Sequence, residues 1–177
     1  HYASQLSGLS DRCEQVLEYA GVMEKIARKF YEVHDMIYVG RGVNYPIALE
    51  GALKMKEISY IHAEGYAAGE LKHGPIALLD QDVPVVGLLP QGDLYEKIFS
   101  NLQESIARES PLVVLADRKD SRAQSIATDF IPMPPVEELF SPVVYTLPLQ
   151  LLAYYTADRK GLDVDQPRNL AKSVTVE

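Results

Sequence analysis

The sequence predicts an α/β domain built on a doubly wound parallel sheet, and three observations carry that expectation. Residues 36–39 (MIYV), 83–89 (VPVVGLL) and 112–116 (LVVLA) are short runs that are apolar throughout, as strands buried on both faces are. Between them lie segments whose apolar residues recur at helical spacing. Such strands, separated by helices, need right-handed crossovers, which place helices on both faces of one sheet.

Each element has its own signal. Over residues 11–31, Val16, Leu17, Ala20, Met23, Ile26, Ala27 and Phe30 form an apolar stripe with charges between them, so one amphipathic helix is expected and residues 1–33 read as a leading helical segment. The strand 36–39 runs into Gly40. A helix follows over 45–61, with Pro46 in the first turn, where no backbone donor is needed. After the strand 83–89 come an amphipathic helix over 93–108, the strand 112–116 and a short edge strand over 130–133, confined to an edge by its prolines. The uncharged stretch 139–157 is interrupted by Pro142, Pro148 and several hydroxyl residues, which favours a buried core helix over a membrane span. Residues 162–177 have no clear period and read as a tail laid over the domain. In a doubly wound sheet ligands sit beyond the carboxyl ends of the strands, so the loops after Val39, Leu89 and Ala116 are the expected place for chemistry.

Composition narrows the function classes. The 177 residues are 47% apolar and 24% charged, ordinary for a globular chain that forms one domain with a real core. A solitary Cys13 cannot make an intrachain bridge, which fits a reducing, cytoplasmic setting. The net charge of −8 disfavours binding to nucleic acid or to an anionic membrane surface. No secretory signal opens the chain, and its polar start without Met reads as a cut.

Four sets of residues are candidates for chemistry. The turn Gly40-Arg41-Gly42-Val43-Asn44-Tyr45 has two glycines of a dinucleotide loop but lacks the third and any Ser/Thr phosphate cradle, so a tight strand-to-helix turn is the expectation. On the helix that follows, Glu50, Lys54 and Glu57 fall at about 0°, 40° and −20°, a narrow charged strip bordered by Ile47, Ile58 and Ile61. That border implies partial burial, which calls for partners or a purpose; a plain Glu50–Lys54 pair with Glu57 as spectator is the bland alternative. Residues 63–75 (AEGYAAGELKHGP) are too small to build a core and read as a functional loop, in which His73 can carry a proton near neutral pH. Lys172 lies near the end of the chain, where most lysines are merely solvated. His1, His34, His62 and His73 show no paired ligand spacing with each other or with Cys13, so no metal is expected.

The stretch 45–75, which contains PIALEGALKMKEISYIHAEGYAAGELKHGP, and the ending DVDQPRNLAKSVTVE together resemble the C-terminal isomerase half of the glutamine:fructose-6-phosphate aminotransferase (isomerising) family. The resemblance runs along essentially the whole chain. It implies a three-layer αβα sugar isomerase (SIS) fold with a flavodoxin-like sheet over residues 1–161 and a catalytic tail over 162–177. It also implies conversion of fructose 6-phosphate and glutamine-derived ammonia to glucosamine 6-phosphate, without a cofactor. On that match Glu57 moves a proton between C1 and C2 of the sugar, and His73 assists ring opening from across a homodimer interface. Lys172 forms a Schiff base with the open-chain ketose, while Glu50, Lys54 and Ala171 line the site. The glutaminase domain and the first SIS subdomain, whose Ser/Thr-rich loop holds the phosphate, are not in this sequence. An isolated chain is therefore expected to bind the phosphosugar weakly and to lack synthase activity.

The chemistry suits those residue types. One carboxylate on a rigid helix can serve two adjacent carbons, and an imidazole can exchange protons between two oxygens. A lysine with an ordinary pKa near 10.4 is neutral in only about one molecule in 2,500 at pH 7, so Lys172 needs desolvation or a neighbouring cation such as Lys54. Other readings are a non-catalytic phosphosugar-binding SIS module of a regulator, a different SIS isomerase or deglycase, and a dimerisation scaffold.

Overall fold

The structure, a computed structural model, describes residues 2–170. Strands β1 (Asp35–Gly40), β2 (His62–Ala67), β3 (Val85–Leu89), β4 (Leu112–Asp117) and β5 (Asp129–Met133) form one sheet in the order β2-β1-β3-β4-β5, and every pair is parallel. That order is the flavodoxin-like form of the doubly wound sheet, with its switch point between β1 and β3. The helices are α1 (Tyr2–Ser7), α2 (Leu9–Glu18), α3 (Ala20–Phe30), α4 (Tyr45–Ser59), α5 (Tyr95–Ile106), α6 (Ser121–Ile126) and α7 (Ser141–Arg159).

Alternate residues of each strand point to opposite faces, so the sheet separates two cores. Met36, Tyr38, Val86, Leu88, Val113 and Leu115 meet α2, α3, α4 and α7 on one side. Ile37, Val39, Val85, Leu89, Leu112 and Val114 meet α5, α6 and the segment after β2 on the other. Helix α7 is buried along its length, from Val144 through Leu149 and Leu152 to Ala157, and packs on α2, α3 and α4. Burial on several sides explains its uncharged sequence. Among the described residues, no helix is long and apolar enough to cross a membrane.

Three elements differ from the sequence expectation. The leading helix is broken at Tyr19, whose amide donates to the Val16 carbonyl while its own carbonyl accepts from Val22, and the chain turns there from α2 into α3. Helix α6 is a single short stretch capped by Asp120, whose carboxylate accepts the Ala123 amide at 2.9 Å. The largest difference is β2, which occupies residues read as a loop. Its small residues serve packing after all: Ala63 is fully buried, and a Cβ on Gly65 would lie 2.8 Å from the backbone N and Cα of Leu49. Only a glycine lets α4 come that close to the strand.

Candidate functional site

Helix α4 carries the charged strip on its outer side while Ala48, Gly51, Ala52, Met55 and Ser59 face the core. The strip is a built triad. Lys54 Nζ donates to Glu57 Oε2 at 2.6 Å and lies 3.8 Å from Glu50 Oε1, with the three side chains between about a quarter and a third exposed. The hydrogen bond to Glu57, aided by the charges of both carboxylates and opposed by desolvation, pushes the Lys54 ammonium up from its ordinary pKa. Glu57 is thus the nearer partner of Lys54 and no spectator. Two carboxylates share one ammonium, so the triad is net negative and Lys54 presents no spare positive charge. Glu57 Oε1 is left without a protein partner among the described residues.

The position of Glu57 follows from chain direction. A helix that leaves the carboxyl end of β1 and returns to a parallel β2 must run back toward the amino end of the sheet. Glu57, in the last turn of α4, accordingly shares a cleft with Leu53, Tyr60, His62, Arg168 and Leu170, beside the first residue of β2. His73 follows β2 in the chain, at the close of the 3₁₀ segment Ala68–His73, and is exposed. The structure brings Glu50, Lys54 and Glu57 together, while His73 ends a segment whose Ala68 and Leu71 pack on the face of the sheet opposite α4. Ala171 and Lys172 lie outside the described residues. The segment leading to them reaches the Glu57 cleft, where Tyr60 contacts Arg168, and no sequence signal distinguished either of those two residues.

The switch-point crevice, where a ligand was expected, is differently furnished. Gly42, with φ of 57°, and Gly92, with φ of 154°, turn the loops after β1 and β3. The carboxylate of Glu138 lies against both: a Cβ on Gly42 would sit 3.4 Å from Oε1, and one on Gly92 would sit 3.0 Å from Oε2. Neither loop (residues 41–44 and 90–94) contains a hydroxyl side chain. A phosphate entering there would meet a carboxylate and no cradle, and the Gly40 turn is the tight strand-to-helix connection expected. Among the described residues, no three His, Cys, Asp or Glu side chains are placed to hold a metal ion.

A parallel five-stranded αβα domain with the strand order β2-β1-β3-β4-β5 belongs to the flavodoxin-like class of doubly wound folds. The chain is a member of the SIS domain family, whose model matches residues 29–157. It is 56% identical to glutamine–fructose-6-phosphate aminotransferase (isomerising) of Synechocystis over 178 aligned positions, covering all of this chain and 28% of that protein. The corresponding protein of Nostoc is 62% identical over 154 positions, 87% of this chain and 25% of the relative. The C-terminal domain of glucosamine-fructose-6-phosphate aminotransferase from Francisella tularensis superposes with a TM-score of 0.86 at 41% identity, covering 93% of this chain and 46% of that one. The chain thus spans little more than a quarter of the length of the curated relatives, and it matches their C-terminal region.

Proposed function

We propose that this chain is the acid-bearing half of the sugar site in a glutamine:fructose-6-phosphate aminotransferase. The observation that carries the proposal is Glu57, fixed on α4 by Lys54 through one oxygen and lining the cleft that residues 168–170 enter. In this reading residues 1–161 are the SIS domain and 162–177 the catalytic tail. Lys172 condenses with the C2 carbonyl of open-chain fructose 6-phosphate and releases water. Glutamine-derived ammonia then adds at C2 and expels the Lys172 amine, and Glu57 takes the proton from C1 and returns it to C2, which turns the C2 imine into the amine of glucosamine 6-phosphate and C1 into the aldehyde. Glu50 and Lys54 hold the acid in place, and Ala171 meets the sugar through its backbone.

Because Lys54 is compensated by two carboxylates, desolvation under the closed tail is the remaining means of depressing the Lys172 pKa. The Glu138 carboxylate leaves this half without a phosphate anchor, which supports binding of the phosphate by the other SIS subdomain. His73, whose segment packs on the sheet face opposite α4, serves the site of a second copy of the chain in a homodimer. The setting is cytoplasmic.

The test is borohydride trapping on a full-length enzyme carrying this domain. With fructose 6-phosphate, a reduced adduct is expected at Lys172 and none in Lys172→Ala. Glu57→Gln is expected to lower kcat by about 10² to 10⁴, the range for a positioned base. Turnover that survives Glu57→Gln would leave only the scaffold reading.

A further inference from the structure

Arg41, the first residue after β1, is a half-buried cation. Among the described residues its guanidinium has no hydrogen-bond acceptor and no carboxylate within ion-pair distance. Taking such a group partly out of water is unfavourable unless acceptors replace the lost hydration. The guanidinium lies on the segment that ends in His73, where a Cβ on Gly69 would stand 3.0 Å from Arg41 Nη1. Lys72 and His73 follow on that segment, both exposed and neither in an ion pair among the described residues, with Glu70 as its single acid. On a chain of net charge −8, Arg41, Lys72 and His73 make a local patch of the opposite sign.

We propose that Arg41 is a positioning residue for the sugar site of a second copy of the chain, its guanidinium pairing with that copy's Glu50. This rests on the reading of His73 given above. The surface that the patch meets is its electrostatic complement, because the Glu50–Lys54–Glu57 strip carries two carboxylates on one ammonium. Glu50 is the less satisfied of the two acids: Lys54 Nζ stands 3.8 Å from it and 2.6 Å from Glu57. It also precedes Glu57 by two helical turns, about 10 Å along the axis, so a cation on Glu50 leaves the Glu57 end free for the sugar. In its own chain the guanidinium rests on a segment that packs on the sheet face opposite α4. A guanidinium can grip a carboxylate through two parallel hydrogen bonds, which fixes direction as well as distance. Seated on Gly69, Arg41 transmits that fix to the segment carrying His73, and two-fold symmetry makes the contact twice.

Arg41→Met keeps an unbranched stem over Gly69 and removes the donors. In a full-length enzyme carrying this domain it should lower kcat about ten- to a hundred-fold, the range for a hydrogen bond between charged groups. Co-expressed variants tell which site Arg41 serves. Arg41→Met with Glu57→Gln should regain about a quarter of wild-type turnover, since half the pairs are hybrids and each hybrid holds one intact site. Arg41→Met with His73→Ala should be no more active than Arg41→Met alone, because both changes damage what a chain gives to its partner. The reverse pattern, rescue with His73→Ala and none with Glu57→Gln, assigns Arg41 to the site of its own chain and overturns the proposal. Rescue with neither, or wild-type turnover in Arg41→Met, overturns it too. The acceptor is tested by combining Arg41→Met with Glu50→Gln in one chain: the double variant should be no slower than the slower single one, and losses that multiply exclude the pairing. The control is Glu57→Gln with His73→Ala, where absence of rescue removes the His73 reading and the role of Arg41 with it.

Discussion

Lys54 is held by two carboxylates of its own helix, and the consequence falls on Glu57. Its Oε2 is committed to the ammonium, so a proton can be taken only through Oε1. Replacing Lys54 by Met should leave the helix intact and let the carboxylate rotate. We expect about a ten-fold lower kcat in the full-length enzyme, well short of the Glu57→Gln loss, with KM little changed; equal losses in the two variants would make Lys54 itself a reacting group. A second residue-scale expectation concerns Tyr66, which donates to Glu64. That hydrogen bond, then burial, then the Glu64 charge push the phenol up to about 12. In the unfolded chain it ionises near pH 10. Folding is therefore favoured by the neutral phenol in full below about pH 10, and the contribution is lost as pH rises through about 12. Alkaline unfolding of Tyr66→Phe should be less steep across that window than that of the wild type, and identical profiles would exclude the Glu64 contact.

At the level of elements, the contact between α4 and β2 sets the geometry of the site, because the helix that carries Glu57 rests on the strand that starts beside it. Gly65→Ala would press a methyl into the backbone at Leu49, where nothing can swing aside. A cost of about 2 to 3 kcal/mol is expected in denaturant unfolding, and a loss below about 0.5 kcal/mol would mean that α4 slides freely on the sheet. The same contact explains why β2 was illegible in the sequence. Strands are recognised by large apolar side chains, and here the close approach of a helix backbone requires Ala63, Gly65 and Ala67 instead. Strands β1, β3 and β4 face cores on both sides and announce themselves. The charged strip of α4 was legible for a related reason, since helical period alone gathers Glu50, Lys54 and Glu57. Their pairing was not, because spacing does not say which carboxylate an ammonium prefers. The contact between Tyr60 and Arg168 joins residues 108 positions apart, beyond the reach of any local pattern.

On the scale of the whole molecule, the two ends of the sheet are differently furnished. The carboxyl end, where doubly wound folds usually bind, carries the Glu138 carboxylate against the loops of its switch point, and Glu57 stands toward the amino end. The place of Glu57 follows from the direction of α4, so it was implicit in the order of elements, whereas the sequence expectation looked to the loops after Val39, Leu89 and Ala116. The proposed contribution of His73 to the site of a second copy has a genetic reading. If each sugar site draws its acid from one chain and its imidazole from another, two dead alleles can rescue each other. Co-expressed Glu57→Gln and His73→Ala chains, each inactive alone, should regain about a quarter of wild-type turnover, since half the pairs are hybrids and each hybrid holds one intact site. Failure to complement would mean that both residues serve the same chain or that His73 serves none.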